Sequence, residues 1–180
     1  MSSTVMTGRR EERDGSTLLV IEREFRAPVD DVWAACTDPT RMERWIGTWR
    51  GDPAAGPVTF WMTAEGDDVA GEEWDVLVCE PPRRFVARGR DPQPFSEDGS
   101  GDTAHWELEL ELTEADGVTS LRFVQVLDPG GPRVDMAASV GPGWEYYLDR
   151  LGAALSGDPV GAVDWEAYVG GSSHYRRLFT

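Results

Sequence analysis

Gly143-Trp144-Glu145-Tyr146-Tyr147-Leu148-Asp149-Arg150-Leu151-Gly152-Ala153-Ala154-Leu155-Ser156 carries the strongest helical pattern in the chain. Trp144, Tyr147, Leu148, Leu151 and Leu155 recur at three- and four-residue steps, which is one apolar stripe on one helix. Pro142 and Gly143 read as its start and Gly157 as its stop. At ~1.5 Å per residue such a helix is roughly 21 Å long. The stripe is either a plain core seam or the roof of a cavity lined by its Trp and Tyr.

Upstream, the period changes from helical to alternating. Thr103 to Thr113 sends Trp106, Leu108, Leu110 and Leu112 to one face, and His105, Glu107, Glu109 and Glu111 to the other. Asp116-Gly117 marks a hairpin turn, and Val118 to Leu127 pairs back with Leu121, Phe123 and Gln125 inward. Asp128 to Pro132 then ends the sheet. Earlier strands read over Val58–Ala64, Glu72–Cys79 and Arg84–Arg90, with a turn at Pro81-Pro82 and a loop from Gln93 to Asp102. Thr17 to Arg26 is the first, with Leu19, Ile21, Arg23 and Phe25 on one face. Pro28 opens a short helix whose inner side is Val32, Trp33, Ala35 and Cys36, and Asp38-Pro39 opens a second bearing Met42, Trp45 and Ile46.

The expectation is an α+β fold. One curved antiparallel sheet of six or seven strands packs on the long C-terminal helix, with two short helices after the first strand. Residues 1–16 read as a disordered arm, because they offer few apolar side chains. Residues 17–157 form the domain. Residues 158–180 are an extension with a short helix built on Val160, Val163, Trp165 and Tyr168 and stopped by Gly170-Gly171-Ser172-Ser173.

The chain has 180 residues, enough for one domain that buries roughly 70% of its unfolded surface. Its net charge of −16 repels phosphate backbones and anionic lipid, so nucleic acid and membrane surfaces are poor partners. There is no apolar run of membrane-spanning length and no hydrophobic leader, and the expected location is the cytoplasm. All 17 basic residues are Arg, which excludes Schiff-base chemistry and a P-loop lysine. The absence of Lys and Asn looks like GC-rich codon usage and hints at a bacterial source. Cys36 and Cys79 read as two buried free thiols.

No catalytic motif is visible and no catalytic residue, metal or cofactor is assigned. Gly99 to Ala104 matches a spaced-glycine nucleotide pattern but precedes a strand rather than a helix, so it reads as a loop. His105, Glu107 and Glu109 share one strand face, which reads as a solvated surface rather than a metal site. The eight Trp are more informative. Trp45, Trp61, Trp74, Trp106 and Trp144 lie on elements that surround one interior, and with Phe123, Tyr147, Leu148 and Leu151 they are the candidate cavity wall. Gln125, on an apolar face, is the candidate orienting group. Arg23 is placed inward, where it meets an acidic ligand or pairs with Glu73. Gly152 is a place to fill the cavity from the helix side, should it face inward.

Three stretches carry a resemblance: Arg23 to Trp33 followed by Thr37-Asp38-Pro39 and Trp45; Val76 to Phe85; and Gly143-Trp144 with Leu148-Asp149-Arg150-Leu151. Together, over about residues 17–156, they resemble the homologues of the heat-shock chaperone ATPase activator (Aha-type), within the START-like, or SRPBCC, superfamily. The resemblance implies a helix-grip fold with a cavity between sheet and helix, often for an apolar small molecule, and no shared catalytic residues. Three functions compete. The first is a non-enzymatic binder of a small, mostly apolar molecule. The second is a polyketide-cyclase-like enzyme in which Arg23, Gln125 or Tyr147 acts on an enolate. The third is a chaperone-interacting module. A homodimer fits any of them.

Overall fold

The computed structural model describes residues 4–94, 103–127 and 133–180. In chain order these form β1 (Arg9–Arg13), β2 (Ser16–Phe25), α1 (Val29–Thr37), α2 (Pro39–Met42), β3 (Thr48–Arg50), β4 (Val58–Trp61), β5 (Glu72–Glu80), β6 (Arg84–Gly89), β7 (Gln93–Pro94), β8 (Thr103–Ala104), β9 (Glu107–Ala115), β10 (Val118–Leu127), α3 (Arg133–Ser156) and α4 (Ser172–Phe179). Eight strands make one antiparallel sheet in the order β1-β2-β10-β9-β6-β5-β4-β3, while β7 and β8 form a separate ribbon. β2 lies near one edge and β3 at the other, so α1 and α2 carry the chain across. α3 packs on the inner face, where Leu19, Ile21, Leu121 and Phe123 meet Trp144, Leu148 and Leu151 in one core. This is the expected helix-grip fold.

The sheet has eight strands rather than six or seven because β1 and the three-residue β3 are added to it. β1 corrects the reading of residues 1–16 as a disordered arm. Asp14 and Gly15 have φ of 51° and 81°, the left-handed pair that a tight hairpin needs, and Arg9–Arg13 pairs in register with Val20–Ser16. The strand joins by charge rather than by apolar alternation. Arg122 donates to Glu11 at 2.6 Å, Arg9 donates to Glu22 at 3.0 Å and Arg13 to Glu109 at 2.5 Å. These side chains share the outer face with the fully buried Leu18, Val20 and Val124. Glu109 is therefore buried and paired rather than part of a solvated face.

Three further readings change. The long helix already includes Arg133, and Pro142 lies inside it rather than at its start. The proline forgoes one backbone hydrogen bond, while Met136, Ala137 and Val140 extend the buried stripe upstream and hold the earlier turns against the core. In the extension, Val160–Ala162, Trp165–Ala167 and Val169–Gly171 are single 3-10 turns, and the helix is α4, beginning at the Ser172 that reads as part of a stop signal. At Gly171 an added Cβ would come within 2.4 Å of Met6 Sδ, so the Met6 side chain would have to move to admit one. Cys36 is buried but Cys79 is exposed. Residues 99–102 of the spaced-glycine run and the 128–132 sheet end lie outside the described residues.

Candidate functional site: a cavity under the long helix

A cavity of about 940 Å³ lies between the sheet and α3. Alternation on the strands supplies its floor: Trp74 and Val76 on β5, Ala87 on β6, Leu108 and Leu110 on β9, and Phe123 on β10. Helical periodicity supplies its roof, Trp144, Tyr147, Leu148 and Leu151. Trp33 and Cys36 of α1 and Met42 of α2 close one side, with Phe60 from β4. Burial pushes the Cys36 thiol up to about 12, so it stays neutral. Pro53, Glu65 and Pro94 are exposed members of the lining and mark the mouth.

The aromatic walls are locked to one another. Trp144 packs on Phe123 with ring centroids 4.5 Å apart and meets Trp106 edge-on at 6.1 Å. The Trp45 indole N–H donates to the Ala35 carbonyl at 2.8 Å, fixing the end of α2 against α1. Arg150 of α3 donates to the Trp45 carbonyl at 2.9 Å, tying the same corner to the roof.

The lining also holds a few polar groups. Burial pushes the Tyr147 phenol well above its ordinary range, Glu65 adds to the shift, and the hydroxyl donates to Glu65 at 3.3 Å. Burial likewise pushes the Glu72 carboxyl up. The Trp74 indole lowers it again in part, and Glu65 raises it.

Of the expected wall, Trp45, Trp74, Trp106, Phe123, Trp144, Tyr147, Leu148 and Leu151 line the cavity. Trp61 does not. Strand alternation puts it on the face opposite Phe60, where the Arg50 guanidinium lies 5.8 Å from its ring. Gln125 is fully buried but is not part of the lining; its Oε1 accepts from the Trp144 indole at 2.6 Å. Gly152 faces Phe25, whose Cε1 would lie 3.4 Å from an added Cβ, so it does not open on the cavity. Gly143 does line it, and a Cβ there would meet nothing within 4 Å. Phe60, Glu65 and Glu72 escaped sequence reasoning. Phe60 was legible from its alternation with Val58. The two carboxyls carry no local signal.

Arg23 sits on the other flank of α3, and its partners are Glu145 and Asp149 rather than Glu73. Its Nη2 donates to Glu145 at 2.6 Å and its Nε to Asp149 at 2.9 Å. The fully buried Glu145 carboxylate also accepts from the Thr7 N–H at 2.6 Å, the Gly8 N–H at 2.8 Å, the Thr7 hydroxyl at 2.9 Å and the Tyr175 hydroxyl at 2.6 Å. Tyr168 donates to Asp149 at 2.6 Å. Burial works to raise the Glu145 carboxyl, but Arg23, Tyr175 and Thr7 outweigh it and hold the group below the usual carboxylate range. This knot ties the N-terminal segment, β2, α3 and α4 together. No three His, Cys, Asp or Glu side chains among the described residues are grouped for a metal.

A family model described as "Activator of Hsp90 ATPase homolog 1-like protein" matches residues 26–156. The crystal structure of CalU16 from Micromonospora echinospora is similar with a TM-score of 0.69 and 28% identity, covering 99% of each chain. DynU16, a protein in the dynemicin biosynthetic locus, is similar at 0.61 and 24% identity, over 79% of this chain and 49% of its own. The solution structure of the Aha1 dimer from Colwellia psychrerythraea is similar at 0.56 and 18% identity, over 77% and 95%. The last two likenesses speak to the fold alone. No curated protein matches.

Proposed function

Because the chain belongs to the family of activator of Hsp90 ATPase homolog 1-like proteins, we propose that it uses the family's helix-grip fold to bind a small, mostly apolar molecule without converting it. The observation that carries this reading is the aromatic-lined cavity of about 940 Å³ under α3, a volume suited to a drug-sized ligand. It favours a binder over a chaperone-interacting module, for which a filled core would be the better support. Native mass spectrometry of freshly purified protein tests the proposal. A retained mass of a few hundred daltons supports it. No retained mass, together with no saturable binding across a broad set of apolar probes, overturns it.

A second reading, a polyketide-cyclase-like enzyme, draws on one feature of the lining. Glu72 and Tyr147 both line the cavity; the Glu72 carboxyl has a raised pKa and the Tyr147 hydroxyl stays protonated, so the wall offers a carboxyl group and a hydrogen-bond donor to an enolate. Formation of a cyclised product from a linear poly-β-ketone, lost in Glu72→Gln with binding retained, would favour it. Neither reading uses Arg23 as an acid or a ligand anchor, because its guanidinium is taken up by the carboxylates of Glu145 and Asp149 on α3 and by Thr7.

A cytoplasmic location in a bacterium and a homodimeric state belong to the same proposal. Among the described residues no helix is long and apolar enough to cross a membrane. Sedimentation velocity tests the dimer.

A further inference from the structure

The lining of the cavity reaches beyond the sheet and the inner stripe of α3. Trp165, Val169, Ser172 and Arg176 also line it. All four follow residue 156, where the family match ends. The large apolar side chains exposed among the described residues are Val5, Leu77, Trp165 and Val169. Two of them stand on the cavity wall, Trp165 at 37% exposed and Val169 at 50%. Single exposed apolar side chains are ordinary on any surface. A pair on the lining of an aromatic-walled cavity is contact area that a ligand can cover.

The turn that carries Trp165 is anchored. Tyr168 is buried and donates to Asp149 at 2.6 Å, and the Ala167 carbonyl accepts from the Thr4 N–H at 3.0 Å. Tyr146 of α3 meets Trp165 edge-on with ring centroids 5.4 Å apart, and meets Tyr168 and Tyr147 in the same way at 5.5 and 5.1 Å. Tyr147 in turn meets Trp144 at 6.4 Å. Rings in contact therefore run from the roof of the cavity out to Trp165. Gly143 lies one turn before Tyr146 and Tyr147, on their side of α3. It lines the cavity, and a Cβ there would meet nothing within 4 Å, so the space over this turn is open.

We infer that Trp165 and Val169 form an outer subsite for the far end of an elongated aromatic ligand whose near end lies among Phe123, Trp144 and Leu148. The inference rests on the cavity being a ligand site. Both groups of residues line one cavity, and Gly143 leaves the way between them open. A compact ligand would fill the inner part and leave Trp165 and Val169 in water, whereas a longer one covers them too. Flat rings suit these walls, because they can meet Trp144, Tyr147 and Trp165 edge-on or offset. Ser172 and the Arg176–Asp135 ion pair, at 2.6 Å, belong to the lining as well. Arg176 and Asp135 are exposed, so a hydroxyl at the far end of the ligand keeps polar neighbours and water. The segment after residue 156 thus sets how long a ligand the cavity accepts.

Para-hydroxybiphenyl and para-hydroxyterphenyl are rods that differ by one ring, so they separate this inference from the reading beneath it. The longer rod should bind about tenfold more tightly, for one more ring removed from water. Trp165→Ala should remove most of that gain and leave the affinity for the shorter rod unchanged. Trp165→Phe, which keeps a ring, should retain part of it. The indole N–H resonance of Trp165, identified as the one missing in Trp165→Phe, gives a second readout in the unmodified protein. The longer rod should move it and the shorter should not. The same gain in Trp165→Ala as in the unmodified protein, or a Trp165 resonance moved by neither rod or equally by both, would overturn the outer subsite and leave the inner cavity standing. Binding of neither rod, with no retained mass in native mass spectrometry, would overturn the cavity reading and the subsite with it.

Discussion

The two flanks of α3 treat polar groups in opposite ways. On one, Glu145 is fully buried and takes hydrogen bonds from Thr7, Gly8, Arg23 and Tyr175. On the other, α3 covers a cavity whose wall is mostly aromatic and aliphatic, and the carboxyl groups of that wall near Tyr147 and Trp74 are Glu65 and Glu72. A satisfied buried network rigidifies and specifies a structure, whereas an apolar wall with few polar groups leaves room for a ligand. The knot flank is therefore read as stability and the cavity flank as function, and the contrast can be broken from either side.

The largest effect is expected from deleting residues 1–15. That removes β1 and both backbone donors to Glu145, leaving a buried carboxylate short of partners. The loss should be roughly 5 kcal/mol or more, enough to leave much of the chain unfolded. A melting temperature within a few degrees of the full chain would show that the knot stands without its N-terminal segment.

Next comes Glu145→Ala, which strands the largely buried Arg23. It should cost about 3–5 kcal/mol, read as a denaturant midpoint shift. The pH dependence carries a definite sign. The folded carboxyl titrates below its ordinary value of 4.5, so its stabilisation is present above pH 4.5 and is lost as pH falls through the lower folded pKa. Glu11, held at about 2 chiefly by Arg122, acts in the same direction. Acid unfolding should therefore set in below pH 4.5, with a shallower slope in Glu145→Gln. An unchanged slope would remove Glu145 from the account.

On the cavity flank, Leu148→Ala enlarges a space that already exists and removes packing on one side only. The cost should be about 2 kcal/mol, at the foot of the usual range for such truncations. A loss near 5 kcal/mol would mean that the side chain is gripped all round and the cavity does not reach it.

Gly143→Leu should change stability by less than about 1 kcal/mol, since the new side chain enters open space and helical glycine is itself unfavourable. It should nevertheless weaken apolar-probe binding by about tenfold or more. Unaltered binding would move the ligand away from the helix roof.

The smallest effect belongs to Glu72→Gln. Here the sign is reversed. A folded pKa raised above 4.5 means that the ionised carboxylate is disfavoured in the fold, so stability falls as pH rises from 4.5 through the folded pKa. The variant should be slightly more stable at pH 7, by less than about 1 kcal/mol for so accessible a group. Destabilisation at pH 7 would show that Glu72 is a structural acceptor for Trp74.

The two hairpins show what was legible and what was not. Asp116-Gly117 and Asp14-Gly15 are the same turn, with φ of 53° and 77° in one and 51° and 81° in the other. The first announces itself because β9 and β10 alternate on either side of it. The second carries no such signal, because Arg9–Arg13 is polar on both faces and has no apolar alternation. Its place in the sheet is set by Arg122, Glu22 and Glu109, which lie far off along the chain.

By itself the sequence determined the fold class, the order of the main strands, the two short helices, the apolar stripe of α3 and most of the cavity wall. Each of these is written in turns and periodicities spanning a few residues, and burial follows directly from the period. Only the tertiary structure decided that the N-terminal segment is a strand, that α3 runs through Pro142 and that Arg23 pairs with α3. Those outcomes depend on which polar groups meet after the chain has folded, and pairing energies between distant charges and donors leave no local pattern to read.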